Sequence, residues 1–94
     1  MEVAVKESKV HPYVTNVPGV CGGRSVIEGT RIPVWSLVKW YKLGFSIEDI
    51  MREFPQLHPS QVYDAFSYYY DHQEEIEHDI LENGDEDSLR KMIS

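Results

Sequence analysis

The sequence is poor in the features that most directly identify a small protein's chemistry. It has one cysteine, Cys21, in 94 residues, so no disulfide can close within the chain and no cysteine-rich metal framework is available. No apolar run approaches the roughly 20 residues that a membrane-spanning helix requires. The opening MEVAVKESKV alternates in polarity and carries acids, unlike the basic start and apolar centre of a secretory signal. A cytoplasmic location is therefore expected. Basic residues are also scarce, and unevenly so. Met1 to Leu57 holds seven Lys/Arg against six Asp/Glu, giving +1, while His58 to Ser94 holds two against ten, giving −8. Non-specific affinity for DNA grows with the number of phosphates neutralised, so the acidic part disfavours it and suits a basic protein surface instead.

What is present describes one small globular domain. The apolar share is 41%, too high for a disordered chain, and 94 residues allow one domain with a modest core. Met1 to Val10 offers only Val3, Val5 and Val10 for packing, and residues 1–12 are expected to be a flexible N-terminus. Tyr13 to Val17 is β-branched and aromatic, as a strand should be. Pro18-Gly19 closes it, and the three glycines within Gly19 to Gly23 specify a turn. Ser25 to Glu28 predicts a second short strand, Gly29-Thr30 another turn, and Arg31 to Val34 an extended edge segment ended by Pro33.

Helical periodicity begins there. Val34, Leu37, Val38 and Tyr41 recur at i, i+3, i+4 and i+7, predicting a first helix from Trp35 to about Leu43 with Gly44 as its left-handed cap. Ser46 and Asp49 form a capping-box pattern before the stripe Ile47, Ile50, Met51 and Phe54, which Pro55 stops. A third helix is expected from His58-Pro59, with Val62, Ala65, Phe66 and Tyr69 on its buried side. Gln73, Ile76 and Ile80 extend that stripe to Asn83-Gly84. The expected fold is α+β but mostly α: a short β arm, then a three-helix, helix-turn-helix-like bundle of the winged-helix or homeodomain kind. The domain spans 13–82, and 83–94 is an acidic C-terminal tail. Two or three strands in the arm are too few to be stable alone, so a homodimer is expected.

No catalytic set emerges. Cys21 has no His or acid at a recognisable spacing and reads as a packed small residue. His11, His58, His72 and His78 do not form a metal set, and His72 and His78, six apart, point to different helix faces. Gly22, Gly23 and Gly29 are followed by no helix carrying Lys-Ser/Thr, so they serve turns rather than a phosphate cradle. Glu74, Glu75, Glu77 and Asp79 read as a solvated face, with nothing nearby to raise a carboxyl pKa. No enzyme activity and no cofactor are expected. The run Tyr68-Tyr69-Tyr70 cannot be buried on one helix face, and exposed aromatics favour interfaces. Tyr68, Tyr70, Glu74, Glu75, Glu77 and Asp79 are the candidate partner-binding residues.

The central stretch is more specific than its parts. Gly19-Val20-Cys21-Gly22-Gly23-Arg24, then Val26 to Val34 with the hexamer GTRIPV, resembles the signature of a prokaryotic family catalogued as domain of unknown function 433. Leu43 to Ile50 and Phe54-Pro55-Gln56-Leu57 resemble its continuation, so the resemblance spans Tyr13 to Tyr70. It implies a helix-turn-helix-like fold and an antitoxin that neutralises a PIN-like ribonuclease toxin and regulates its own promoter. The short second-to-third-helix connection suits that reading. The third helix would then present Ser60, Gln61, Tyr63 and Ser67 to DNA beside Asp64, whose charge opposes phosphate, with Arg24 and Arg31 contributing from the arm. A protein-interaction module without DNA contact, or a regulator with no toxin, are the alternatives. The function is expected to need no membrane.

Overall fold

The computed structural model describes residues 10–83. The rest of the expected N-terminus and the tail from residue 84 onward lie outside the described residues. Two strands, β1 (Val14–Asn16) and β2 (Ser25–Ile27), pair antiparallel with Val14 opposite Ile27 and Asn16 opposite Ser25. Between them the chain makes one 3-10 turn over Cys21–Gly23, where Gly22 and Gly23 take positive φ. Four helices follow: α1 (Val34–Lys42), α2 (Ile47–Glu53), α3 (Pro59–Asp71) and α4 (Gln73–Asn83). The molecule is a small, mostly helical α+β fold. None of the described helices is long and apolar enough to cross a membrane.

Local chemistry sets most boundaries. Pro33 caps α1, Gly44 leaves it at φ 107°, and Ser46 and Asp49 exchange both bonds of a capping box at 3.0 and 3.1 Å. Pro59 occupies the first turn of α3, where its missing N–H is harmless, and the His58 N–H donates to the Gln61 side chain at 2.6 Å.

Two expectations are corrected. The segment from Arg31 to Val34 forms no third strand: a single bridge joins Val26 and Pro33, and the Ile27 N–H donates to the Ile32 carbonyl at 2.9 Å. The expected long third helix is two helices, broken at His72 (φ −136°, ψ 49°). Without the break, the buried stripe running from Tyr69 would place Gln73 in the core. Instead Gln73 is exposed and Ile76 and Ile80 are buried, with α4 packing against α1 as well as α3.

One core joins all the elements. Val14 and Ile27 from the hairpin meet Val34, Leu37, Val38, Ile50, Phe54, Leu57, Val62, Phe66 and Ile76. From His11 onward the chain is docked on α3. His11 is buried, with its Nε2 at 2.8 Å from Asp71, and the Tyr13 N–H donates to Asp64 at 2.8 Å.

The loop segment between β2 and α1 is also satisfied within the chain. The Ile32 N–H donates to the Thr30 hydroxyl, the Cys21 thiol to the Arg31 carbonyl, and the Ser36 N–H and hydroxyl to the Pro33 carbonyl. An edge with its polar groups engaged in this way does not invite a second strand.

Candidate functional site

α3 carries the most distinctive surface. Ser60, Tyr63, Ser67 and Tyr70 recur at spacings of three, four and three, which places them on one helix face. All four are exposed, Tyr63 by 52% and Tyr70 by 60%. Tyr41 of α1, 44% exposed, packs edge-to-face on the buried Phe66 of α3 at 5.3 Å. Tyr70 lies tilted against Tyr69 at 5.1 Å. A cleft of about 480 Å³ opens beside it at the break between α3 and α4, lined by Tyr70, Asp71, His72, Gln73, Glu74 and Glu75. Pro59 to Asn83 contains seven Asp/Glu and no Lys or Arg.

The tyrosine run leaves one ring exposed, as its place on a helix requires, but Tyr68 is not exposed with it. Tyr70 is exposed, but Tyr68 is half-buried and Tyr69 is buried. The Tyr68 hydroxyl donates to Glu75 at 2.7 Å, and buried Ser25 of β2 donates to the other oxygen of the same carboxylate at 2.6 Å. Burial, the dominant effect, pushes the Tyr68 phenol pKa up, and Glu75 adds to it. Tyr68 thus fastens the arm to α3 and α4. Tyr63 takes the exposed place expected for it.

Most acids of α4, Glu75, Glu77, Asp79 and Glu82, are likewise engaged within the fold rather than free in solvent. Glu77 accepts from Lys42 at 2.7 Å and from the Tyr69 hydroxyl, and the Lys42 bond holds its carboxyl below the usual range. Arg24 sends its guanidinium from the arm to Glu82 at 2.6 Å and to Asp79 at 3.3 Å. Asp64, expected on the DNA-reading face, is turned toward Tyr13 and His11. Among the described residues, Glu74 alone of the seven carboxylates has no hydrogen-bond or ion-pair partner.

Asp79 also corrects the expectation that nothing raises a carboxyl pKa. It is 7% exposed, and one of its oxygens has no hydrogen-bond partner. Burial pushes its pKa up despite Arg24. A carboxyl with a raised folded pKa stabilises the fold below its unfolded pKa, about 3.9, and loses that contribution as pH rises through the folded value. Asp79→Asn should therefore gain stability relative to wild type as pH is raised from about 4 to 7. Glu77 and Glu82, whose pKa values are lowered, act in the opposite sense in both proteins. Urea midpoints of the two proteins across a pH series check this: curves that run parallel contradict it.

The residues expected to meet DNA are not brought together as a set. Ser60, Tyr63 and Ser67 share the α3 face, while Gln61 is half-buried as the cap of His58. Arg24 is committed to α4. Arg31 is exposed, on the loop before α1. A group missed by sequence reasoning lies on α4: donor atoms of His78, Asp79 and Glu82 fall within 4.8 Å of one another. The Arg24 guanidinium already supplies their positive counter-charge. Only the i, i+4 spacing of His78 and Glu82 signalled this group.

Residues 14–69 match the family described as Protein of unknown function (DUF433), within one residue at each end of the stretch marked by the sequence motifs. The chain belongs to this family. It is 35% identical to a DUF433 member from Anabaena variabilis whose crystal structure it resembles with a TM-score of 0.70, covering 73% of this chain and 68% of that one. It is also 33% identical over 49 residues to the uncharacterized protein y4eO of Sinorhizobium fredii. That alignment covers 52% of this chain and 22% of the relative, so the chain spans about a fifth of that protein's length.

Proposed function

We propose that this DUF433 chain is an antitoxin-like protein that neutralises a PIN-like ribonuclease, using the face of α3 that presents Tyr63 and Tyr70. The observation that carries the proposal is the pairing of exposed tyrosines with the absence of any Lys or Arg between Pro59 and Asn83. Tyrosine is enriched among the few residues that carry most of the binding energy in protein interfaces. A surface that binds nucleic acid instead needs cations to neutralise phosphate. The carboxylates around the α3–α4 cleft suit a partner whose contacting surface is basic, as the groove of a nuclease is. Glu74 and Asp71 at that cleft would steer association more than they would strengthen the final complex.

A second reading, autoregulation through promoter DNA, is favoured by Ser60, Tyr63 and Ser67 sharing one exposed face after the turn between α2 and α3. With Arg24 engaged on α4, Arg31 is the main cation of the arm left for phosphate. Such binding would be weak and would fall steeply with salt.

The test is co-expression with a PIN-like ribonuclease. The reading requires a complex that suppresses RNA cleavage and that loses affinity when Tyr63 and Tyr70 are replaced. If the nuclease is not bound but the promoter fragment is, the chain is a regulator. If a second copy of the chain occupies the face, sedimentation of the purified protein reports a dimer that the same substitutions dissolve.

A further inference from the structure

A cavity of about 380 Å³ opens between the loop preceding α1 and the turn following α2, lined by Thr30, Arg31, Ile32, Pro33, Phe54 and Gln56. Its volume falls within the range of small-molecule sites, about 300 to 1,000 Å³. The two stretches that line it, Gly29 to Val34 and Phe54 to Leu57, are those whose sequence is most distinctive. Much of that sequence has a structural purpose. Gly29 turns the chain at φ 83°, the Thr30 hydroxyl donates to the Ile27 carbonyl while accepting from the Ile32 N–H, and Pro33 caps α1. The Arg31 side chain is different. It is exposed, and among the described residues it makes no ion pair or hydrogen bond. Gln56, across the mouth, is exposed as well.

The chemistry of the lining is amphipathic. Ile32, half-buried, offers the apolar surface, Pro33 and Phe54 back it from the core with almost none of their own exposed, and Arg31 and Gln56 add an exposed guanidinium and carboxamide. A guanidinium grips a carboxylate with two parallel N–H bonds, and the Gln56 amide offers another donor. A phosphate dianion would find a single positive charge there, too few to offset its desolvation. We propose that this cavity binds a small apolar carboxylic acid, with its hydrocarbon or aryl body against Ile32 and its carboxylate on Arg31 and Gln56. The site shares no residue with the tyrosine face of α3, so it stands or falls independently of the antitoxin reading.

The experiment is a titration of the full chain, labelled with 15N, with phenylacetate and isovalerate, and with 2-phenylethanol as the uncharged control. Saturable shifts are expected at the amides of Thr30, Arg31, Ile32, Phe54 and Gln56, with a Kd of about 0.1 to 1 mM for ligands this small. Arg31→Gln should weaken acid binding at least about tenfold, Gln56→Ala should weaken it less, and the alcohol should not saturate the site. Both substitutions are at exposed side chains that hold nothing in the fold, and unchanged melting temperatures verify that. Absence of saturable shifts up to about 10 mM acid overturns the proposal. So does equal affinity for the alcohol, or an Arg31→Gln protein that binds the acids as wild type does. Shifts produced by an acidic peptide of the partner, with none from either free acid, would make the cavity a protein contact and also overturn it.

Discussion

Phe54→Ala is expected to lower the free energy of unfolding by about 3 to 5 kcal/mol, the usual cost of truncating a buried aromatic. Phe54 is 2% exposed and packs in the one core that joins the hairpin to all four helices. It sits just past the last turn of α2, its N–H donating to the Ile50 carbonyl at 3.1 Å. Its ring therefore determines how α2 seats against the rest of the bundle. Truncation would also leave a void continuous with the cavity beside Thr30 and Gln56, so neighbouring side chains could not readily collapse to fill it. A domain of this size has a total stability of about 5 to 15 kcal/mol, and each kcal/mol moves the melting temperature by roughly 4 to 8 °C. Urea and thermal melts should show a loss on that scale. Glu74→Gln, at an exposed site without a partner among the described residues, should stay within about 0.5 kcal/mol of wild type. A melting temperature unchanged by Phe54→Ala would contradict the packing of α2 described above.

Phe54 was legible in the sequence because it closes a stripe with Ile47, Ile50 and Met51. So were Leu37, Val38, Val62 and Phe66, all of which are in the core. The capping box at Ser46 and the left-handed glycine after α1 were equally plain, since each depends on residues within a few positions of one another. What could not be read depends on which surfaces meet. Arg24 and Glu82 are 58 residues apart, and Ser25 and Glu75 are 50 apart. Acids spaced along a helix look solvated until an arm is laid across them.

The tyrosine run shows the same limit. Successive residues of a helix are about 100° apart, so a helix covered on one side only would bury one of three. Here α3 is covered by α1 on one side and by the β arm on another. That widens its buried arc enough to take in both Tyr68 and Tyr69 and leaves Tyr70 outside. The break at His72 was hidden for a related reason. It relieves a conflict between the polar Gln73 and a continuous stripe, and the sequence shows the conflict without showing how it is resolved.

This division of the tyrosines fixes where the functional test should strike. Tyr63→Ala and Tyr70→Ala should each weaken the complex with the nuclease by about 2 kcal/mol or more, the cost of losing a hot-spot side chain, which is roughly a thirtyfold rise in Kd. Most of that change should appear as faster dissociation, as is usual among variants of one interface. Both side chains are more than half exposed in the chain alone, so the stability of the unbound variants should hardly move. Carboxylates need separate treatment. Glu74→Gln should slow association and reduce its salt dependence while leaving dissociation nearly unchanged, because a charge at the rim acts mainly on encounter. Glu75→Gln and Asp79→Asn alter contacts that hold the arm to α4, so any loss of affinity in them must be read against a measured change in stability. Binding kinetics on the five variants across a salt series, with a urea melt of each, separates these effects. If the tyrosine variants bind the nuclease as tightly as wild type while Glu74→Gln does not, the contact is electrostatic and centred on the α3–α4 cleft, and the aromatic face must serve something else.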